Sequence, residues 1–440
     1  MMLLKRIEDG CRIGFFGLGK SSLHLLRSLP LDKCRVTLRS DGEIDRTVIP
    51  TSIRVERILT GESGCAEINE DVLFLSPSVR REREELLKAK ERGVILTSDA
   101  ELFFEENRTP AFLVTGSDGK STTATLINLL LNEGGYRSRL IGNIGEPMWQ
   151  NPEDVYDFFV TELSSFMLTY LKPRGYAACI TNITPNHLDW HKDYEEYRQT
   201  KLLVGDNSDR LIISDRNAEI KGAYGIISTE RNLAELKKLY NAELYITCKN
   251  GYICRNGDRL ISRGNIRRAE PHNLSNLMMA IAMTDGLVNV GHIERVAASF
   301  GGLSHRCETV LFKDGIEYID SSIDSTPSRT VQTLKSLDRS VVLILGGRGK
   351  RVGYSELVPA LKKYAARVII SGENAEEIYS VIKDEVSAEI IDDFCEAVRC
   401  GKEYARYVGV LLLSPASTSY DRFKNFAERG NAFKKTLLEK

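Results

Sequence analysis

Residues 111–131, AFLVTGSDGKSTTATLINLLL, place an apolar run, a glycine-containing turn and a helical pattern in direct succession. The apolar run predicts a buried strand, and Leu126, Leu129, Leu130 and Leu131 recur at the spacing of one helix face. A helix that begins at such a turn offers unpaired backbone N–H groups and a partial positive charge to a ligand in the turn. The segment therefore predicts a phosphate-binding loop between a strand and a helix.

The residue types in the turn suit ATP and Mg²⁺. Gly116 and Gly119 allow the backbone to approach phosphate oxygens, Lys120 can reach the β- and γ-phosphates, and the Ser121 hydroxyl can ligate Mg²⁺. The turn has the short form G-x-x-G-K-S, because Val114 stands where the longer phosphate-loop pattern has glycine. The alternative is an ordinary strand-to-helix turn that happens to carry lysine and serine.

Short apolar runs alternate with helical patterns along most of the chain, which is typical of α/β folds with parallel sheets. Three blocks emerge, and we expect three domains at residues 1–107, 108–300 and 301–440. A chain of 440 residues is also longer than one hydrophobic core usually organises. Residues 243–262 alternate around Asn-Gly pairs and predict antiparallel hairpins.

Composition excludes several classes of protein. The chain is 42% apolar and 28% charged with a net charge of −1, which provides no basic surface for nucleic acid. No uncharged run approaches about 18 residues, so we expect no membrane span. The amino terminus lacks a signal-peptide pattern, and the nine cysteines contain no Cys-x-x-Cys pair. We expect a cytoplasmic protein with reduced thiols.

The first block contains a second glycine turn, Gly17-Leu-Gly19, after the apolar run 12–17. It departs from the dinucleotide pattern because Ser22 stands where that pattern has its third glycine. The helix N–H groups and the hydroxyls of Ser21 and Ser22 would suit a diphosphate. A UDP-type ligand, NAD and a purely structural turn all remain open from these residues.

Two further side chains follow predicted strands of the second block. Glu162 ends the strand 156–162 and His187 follows the strand 176–182. Ligands of open α/β sheets bind at the carboxyl ends of strands, so Glu162 with Ser121 predicts a Mg²⁺ site, and His187 predicts a second one. Either residue taken alone would more often be a cap, an ion-pair partner or a structural histidine.

Longer strings resemble the Mur ligases, and most closely the branch of that family that adds D-glutamate. They occur in family order over essentially the whole chain: TGSDGKSTT (115–123), GNIG (142–145), TELSSF (161–166), TNITPNHLDWH (181–191), HNLSN (272–276), GLSHRCE (302–308), LILGGRGK (343–350) and LLSPASTSYDRFKNFAERGNAF (412–433). The resemblance implies a Rossmann-like amino-terminal domain for a UDP group, a central phosphate-loop ATPase domain with a mostly parallel sheet, and a Rossmann-like carboxy-terminal domain for the amino acid. The implied reaction is ATP-dependent ligation of D-glutamate to UDP-N-acetylmuramoyl-L-alanine through an acyl phosphate, by a monomer.

The resemblance also implies roles for residues at matching positions. Lys120, Glu162, His187 and Lys201 would be catalytic; Gly116, Ser117, Asp118, Gly119, Lys120, Ser121, Thr122, Asn273 and Arg306 would bind ATP; Ser121, Glu162, His187 and, if carbamylated, Lys201 would hold two Mg²⁺ ions. Substrate contacts would come from Ser21, Arg39, Asn143, Ser164 and Ser325, and those to D-glutamate from Lys350, Ser419 and Phe426.

One family segment is altered. Where many relatives have Asp-Ser-Lys-Ala-Thr-Asn, this chain has Ser321-Ser-Ile-Asp-Ser-Thr326, so Ile323 stands at the lysine position and Ser321 at the acidic position. Asp320 and Asp324 are close by. This departure leaves two alternatives to the D-glutamate ligase: a related amide ligase, such as another Mur ligase or a folylpolyglutamate synthase, or a nucleotide-binding regulator without turnover.

Overall fold

The computed structural model describes residues 7, 10–44, 46–51, 53–150, 155–188, 190–217, 219–349 and 353–439. The chain divides into two compact units, residues 1–300 and 301–440. Across the described ranges the first unit contains two sheets and the second unit contains one. Helices cover mostly parallel sheets, which confirms the predicted α/β fold class.

The amino-terminal part of the first unit forms, within its described ranges, a five-stranded parallel sheet of order β3-β2-β1-β4-β5. Its elements are β1 Arg12–Phe16, α1 Lys20–Ser28, β2 Arg35–Ser40, β3 Val55–Thr60, α2 Glu62–Cys65, β4 Val72–Leu75, α3 Glu84–Glu91, β5 Ile95–Thr97 and α4 Asp99–Glu106. The strand order reverses at β1, so the Gly17-Leu-Gly19 turn lies where open α/β sheets bind ligands.

The central part of the first unit builds, from the residues described there, a nine-stranded sheet of order β14-β13-β12-β11-β10-β9-β6-β8-β7. Its elements are β6 Ala111–Thr115, α5 Lys120–Glu133, β7 Ser138–Gly142, β8 Phe158–Glu162, α6 Ser165–Leu168, β9 Ala177–Ile180, α7 Tyr194–Asp206, β10 Leu211–Ser214, β11 Gly225–Ser228, α8 Leu233–Leu239, β12 Leu244–Lys249, β13 Tyr252–Arg255, β14 Asp258–Ser262, α9 Pro271–Met283 and α10 Val290–Ser299. Strands β12–β14 pair antiparallel, which confirms the predicted hairpins.

Strand β6 is buried on both faces, as its uninterrupted apolar sequence predicts. Phe112 and Val114 pack with the apolar faces of α5 and α9, while Leu113 packs on the opposite side with side chains of α6 and α7. The prediction for Leu129 is wrong, because this side chain is 39% exposed. At 100° per residue it falls outside the arc of roughly 140° that the buried leucines and Ile127 occupy on α5.

The second unit has, over the part of it that the structure describes, a six-stranded sheet of order β15-β16-β20-β17-β18-β19 in which only the β15 pairing is antiparallel. Its elements are β15 Glu308–Lys313, β16 Ile316–Asp320, α11 Pro327–Leu337, β17 Val341–Leu345, α12 Val358–Tyr364, β18 Ala365–Ile370, α13 Ala375–Ile382, β19 Ala388–Ile390, α14 Phe394–Val408, β20 Val410–Leu413 and α15 Phe426–Leu438. Strand β20 lies between β16 and β17, so their carboxyl ends share one edge.

Among the described helices, none combines the length and the apolar character that crossing a membrane requires.

A buried ion pair organises the carboxyl end of the amino-terminal sheet. Arg39, in β2, donates to both carboxylate oxygens of Glu70 and to the carbonyls of Gly64, Ala66 and Glu67. These bonds use all five guanidinium N–H groups, and both charged side chains are almost fully buried. Arg39 therefore holds the 64–70 loop against the sheet, and a contact with a diphosphate would require one of these bonds to break.

Replacing Arg39 by methionine should lower the free energy of unfolding of this domain by about 3–5 kcal/mol, because Glu70 would keep a buried charge without a partner. Urea denaturation followed by circular dichroism measures the change. The matched control is Arg12→Met on β1, which removes a half-exposed pair with Asp71 and should cost less than about 1 kcal/mol. Equal losses in the two variants would contradict the structural role of Arg39.

Candidate active site

The phosphate loop requires glycine at both ends. Gly116 has φ +145° and Gly119 has φ +78°. A Cβ at Gly116 would lie 1.9 Å from Thr181 Oγ1, and one at Gly119 would lie 2.3 Å from Asn276 Oδ1. The loop is thus closed on both sides by polar side chains, directly at the amino end of α5.

Hydrogen bonds from two neighbouring segments fix the loop. Ser117 Oγ accepts from the Thr184 amide at 2.9 Å and shares a 2.7 Å hydrogen bond with Tyr197 Oη. The Asp118 amide donates to Asn182 Oδ1 at 2.9 Å. Lys120 Nζ donates to the carbonyls of Gly116 and Ser117, so the ammonium group lies over the loop.

The remaining predicted contacts to ATP in this unit lie on helix termini. Ser121 and Thr122 are in the first turn of α5, with Thr122 buried. Asn273 is in the first turn of α9, and its Nδ2 donates to Glu270 Oε2 at 3.1 Å. The carboxyl ends of β6, β8 and β9 are adjacent in the sheet, so the phosphate loop, Glu162 and the segment after β9 share one edge.

Glu162 is fully buried at the end of β8. Its Oε1 accepts from Asn143 Nδ2 at 2.6 Å, and the Asn143 amide donates to the Glu162 carbonyl at 3.0 Å. Its Oε2 is buried with no hydrogen-bond partner among the described residues. A buried carboxylate oxygen in this condition is costly unless a cation compensates it. Asn143, predicted as a substrate contact, orients this carboxylate.

The side chain of Lys201 extends from α7 toward the phosphate loop. Its side chain is almost fully buried, and Nζ donates to the Gly116 carbonyl at 2.7 Å and lies 4.7 Å from the centre of the Tyr197 ring. Burial, and then the positive charge of Lys120, hold the pKa of Lys201 well below its usual range. Glu162 acts in the opposite direction. A lysine with a lowered pKa takes the neutral amine form more readily than an exposed one.

His187 lies on an exposed turn after β9 and has a left-handed backbone, φ +53°. Its ring packs edge-on against Phe166, with ring centres 5.0 Å apart. Ser164, another predicted substrate contact, caps α6 by accepting from the Met167 amide at 3.2 Å. The 161–166 and 181–191 strings are therefore neighbours in space.

Ser21 lies in the first turn of α1, beside the Gly17-Leu-Gly19 turn, and its side chain faces Asp99. Asp99 is buried, and burial raises the pKa of its carboxyl group. Lys20 Nζ donates to the Gly145 carbonyl at 2.5 Å, so the turn also contacts the GNIG segment. The predicted diphosphate position thus lies beside a segment of the central sheet.

The predicted residues of the second unit lie near the carboxyl edge of its sheet, with Lys350 outside the described residues. Arg306 lies between two residues with left-handed backbone, His305 and Cys307. Ser419 is buried, and Phe426 begins α15 with its ring centre 6.0 Å from that of His305. Ser325 lies in the turn before α11.

The altered 320–326 segment is fully integrated in this edge. Asp320 is buried and hydrogen-bonded to His305 Nδ1 at 2.7 Å. Asp324 is buried and accepts from Thr333 Oγ1 at 2.7 Å and Ser414 Oγ at 2.8 Å. Ser321, at the position where relatives have aspartate, accepts from the Cys307 amide at 3.2 Å. Both carboxylates therefore have structural partners.

Comparison with known proteins identifies the family of this chain. Residues 114–284 match the Mur ligase middle domain, and residues 305–417 match the Mur ligase glutamate ligase domain. The UDP-N-acetylmuramoylalanine–D-glutamate ligase of Clostridium botulinum strain Alaska E43 is 32% identical, over 97% of this chain and 96% of the relative. The chain belongs to the Mur ligase family. It is therefore an ATP-dependent, amide-bond-forming ligase.

Further Mur ligases support this assignment. The ligase of the same name from Clostridium tetani is 33% identical, over 97% of this chain and 96% of the relative. Among solved structures, the UDP-N-acetylmuramate–alanine ligase MurC of Thermotoga maritima superposes with a TM-score of 0.59 at 16% identity, covering 97% of this chain and 99% of that one. At that identity the likeness concerns the fold alone, and it confirms the three-domain architecture of the Mur ligases.

Several residues at this Mur ligase site carry no strong signal in the sequence. Asn182, Tyr197 and Asn276 contact or enclose the phosphate loop, yet each looks like an ordinary polar residue in its own segment. Asn276 is also the acceptor for Thr123 Oγ1 at 3.3 Å. For Asn182 and Asn276, their positions in the strings TNITPNHLDWH and HNLSN are the available signal, whereas Tyr197 lies outside the family strings.

Gly116→Ala should weaken nucleotide binding by at least about tenfold, because its Cβ would displace Thr181 and the loop. Titration with a fluorescent ATP analogue measures the effect. Gly135→Ala is the matched control: it has φ +88° at the far end of α5, but no atom lies within 4 Å of its Cβ position. If this control lost binding to the same extent, backbone strain rather than closure of the loop would be responsible.

Proposed function

We propose that the chain is a UDP-N-acetylmuramoyl-L-alanine:D-glutamate ligase acting in peptidoglycan precursor synthesis. The observation that carries the proposal is the similarity over 97% of the chain to ligases of that name. The string 412–433, which resembles the D-glutamate-adding branch, supports it. The reaction joins the L-alanyl carboxylate to the amine of D-glutamate, with ATP converted to ADP and phosphate.

The residues around Glu162 suit Mg²⁺, the metal that the reaction implies. Oxygen ligands are preferred by this ion, and Glu162 Oε2 is a buried oxygen without a hydrogen bond among the described residues. Ser121 and Glu162 would hold one ion, and His187 and Lys201 a second. When bound, Mg²⁺ neutralises negative charge on the phosphoryl group that is transferred.

Lys201 would join this set as a carbamate. The ammonium group would first lose a proton, and the neutral amine would then attack CO₂, forming the N–C bond as one C–O π bond opens and a second proton leaves. The product is an oxygen-bearing anion in place of a cationic side chain. The buried position beside the Gly116 carbonyl supports this, because a dry pocket disfavours the ammonium form and shields the product.

The phosphate loop and Lys120 would orient the γ-phosphoryl group. The amino end of α5 provides N–H donors for phosphate oxygens, and the Lys120 ammonium group lies directly over the loop. The L-alanyl carboxylate oxygen then bonds to phosphorus while the bond to ADP breaks. The amine of D-glutamate attacks the resulting acyl phosphate, loses a proton and expels phosphate.

The flanking regions would supply specificity. We infer that residues 1–107 take the UDP group, with Ser21 at the diphosphate and Asn143 and Ser164 near the sugar-peptide end. Residues 108–300 bind ATP, with Asn273 as a further contact. Residues 301–440 would take D-glutamate through Lys350, Ser419 and Phe426. Ser325 would be a further substrate contact, and Arg306 would bind ATP. We place the enzyme in the cytoplasm as a monomer.

A phosphate-release assay tests the reaction. Mg-ATP and UDP-N-acetylmuramoyl-L-alanine should give phosphate and a ligated product with D-glutamate, and at most a few per cent of that rate with L-glutamate. A preference for another amino acid would indicate a related amide ligase. If the chain binds ATP but releases no phosphate with any of the amino acids tested, it is a regulator and the proposal is wrong.

Glu162→Gln should lower kcat by about 100-fold or more, which corresponds to at least about 2.7 kcal/mol of lost charge stabilisation. The amide keeps the shape and the Asn143 contact but removes the charge that suits a cation. Glu146→Gln is the control on the neighbouring segment, where the carboxylate pairs with Arg139 at a half-exposed position. Unchanged Mg²⁺ dependence in Glu162→Gln would contradict the role of this carboxylate.

A further inference from the structure

Residues 78–80 and Trp190, about 110 residues apart in the chain, contact each other through two hydrogen bonds and a cation–π contact. Trp190 Nε1 donates to the Ser78 carbonyl at 3.1 Å, and Arg80 Nη1 donates to the Trp190 carbonyl at 2.6 Å. The Arg80 guanidinium also lies 4.9 Å from the centre of the Trp190 ring. We call these contacts the Arg80–Trp190 clamp. It joins the loop after β4 to the turn after β9.

The clamp lies three residues from His187 on the same turn. The His187 carbonyl accepts from the Trp190 amide at 3.1 Å and from the His191 amide at 2.9 Å. Phe166 contacts both the His187 ring and the Trp190 ring, with centres 5.0 Å and 4.6 Å away. Any movement of Trp190 is therefore passed to His187 through both its backbone and its ring.

His187 adopts a backbone that needs such support. A left-handed conformation at a residue other than glycine is strained and persists where neighbouring structure enforces it. On the amino side, Thr184 is hydrogen-bonded to Ser117 of the phosphate loop. On the carboxyl side, the buried His191 ring packs against Tyr197 with centres 5.2 Å apart. The clamp provides the third support.

Arg80 has a third contact that extends this support to α7. Its Nη2 donates to Glu196 Oε1 at 3.3 Å, and Glu196 Oε2 accepts from the Lys192 amide directly after the turn. One arginine thus bonds to the backbone within the turn and to the carboxylate that follows it.

We propose that Arg80 and Trp190 are positioning residues that hold His187 in the orientation needed to ligate a divalent cation. The inference rests on the proposed function, in which His187 is a ligand of the second Mg²⁺. It makes the geometry of that ligand depend on a loop of the amino-terminal sheet. Residues that orient a metal ligand commonly change metal affinity by about 10–100-fold when they are replaced.

Binding of Mn²⁺, measured by electron paramagnetic resonance in the presence of a non-hydrolysable ATP analogue, tests the proposal without turnover. The wild-type chain should bind two ions. Arg80→Met should weaken the weaker of the two sites by about tenfold, and Trp190→Phe, which keeps an aromatic ring but removes the Nε1 donor, should weaken it severalfold. The Mg²⁺ concentration for half-maximal ligation should rise in parallel, with the KM for D-glutamate unchanged.

Arg81→Met is the matched control. Arg81 is also paired with a carboxylate, Glu101, and lies 4.6 Å from the centre of an aromatic ring, that of Tyr170, but it makes no contact with the 187–191 turn in the described structure. The double variant Arg80→Met/Trp190→Phe should resemble Arg80→Met alone, because both changes release one clamp.

The outcomes separate this inference from the proposed function. Wild-type chain that forms no product overturns the proposed reaction. Active wild type with normal Mn²⁺ binding in folded Arg80 and Trp190 variants overturns the clamp alone. Equal losses in Arg81→Met would also overturn it, because general loosening between the two segments would then be sufficient.

Discussion

The structure of the central domain depends on how the carboxylate of Glu162 is accommodated. The side chain is fully buried, Asn143 occupies one oxygen, and the other oxygen has no partner within the described residues. Burial of this kind costs several kcal/mol unless a cation or a donor compensates it. Lys201 approaches from α7, but its Nζ bonds to the Gly116 carbonyl and its pKa is lowered by burial. The fold therefore leaves the negative charge of Glu162 uncompensated at the sheet edge, where divalent ions would balance it.

The parts of this arrangement that follow local rules could be predicted from the sequence. Apolar runs and glycine turns give β6, the loop and α5, because a covered parallel strand must be apolar on both faces and a close turn requires residues without Cβ. The same rules place Glu162 and the segment of His187 at strand ends. Since β6, β8 and β9 are adjacent, these residues share one edge.

The parts that depend on distant partners could not be predicted. The resemblance to Mur ligases gives Arg39 as a ligand contact, and nothing in its own strand indicates its buried ion pair with Glu70, which lies 31 residues further along. The contact of Asn143 with Glu162 likewise follows from no pattern around Asn143. The same is true of the contact between Arg80 and Trp190, which are 110 residues apart. Side-chain pairing between segments far apart in the chain leaves no periodicity in the sequence. The resemblance to Mur ligases identified Lys201, whose burial no local pattern indicates.

The altered 320–326 segment is the feature that would most favour a regulator without turnover, and its packing argues against that alternative. Asp320 and Asp324 both have bonded partners, so the departure from the family sequence leaves neither of these two carboxylates unsatisfied. In the central domain Glu162 has a buried oxygen that is unbonded among the described residues, which costs stability when the carboxylate is charged. Local violations of this kind persist where function requires them. A chain released from catalysis would gain stability by replacing Glu162 with a neutral residue, whereas this chain carries the carboxylate.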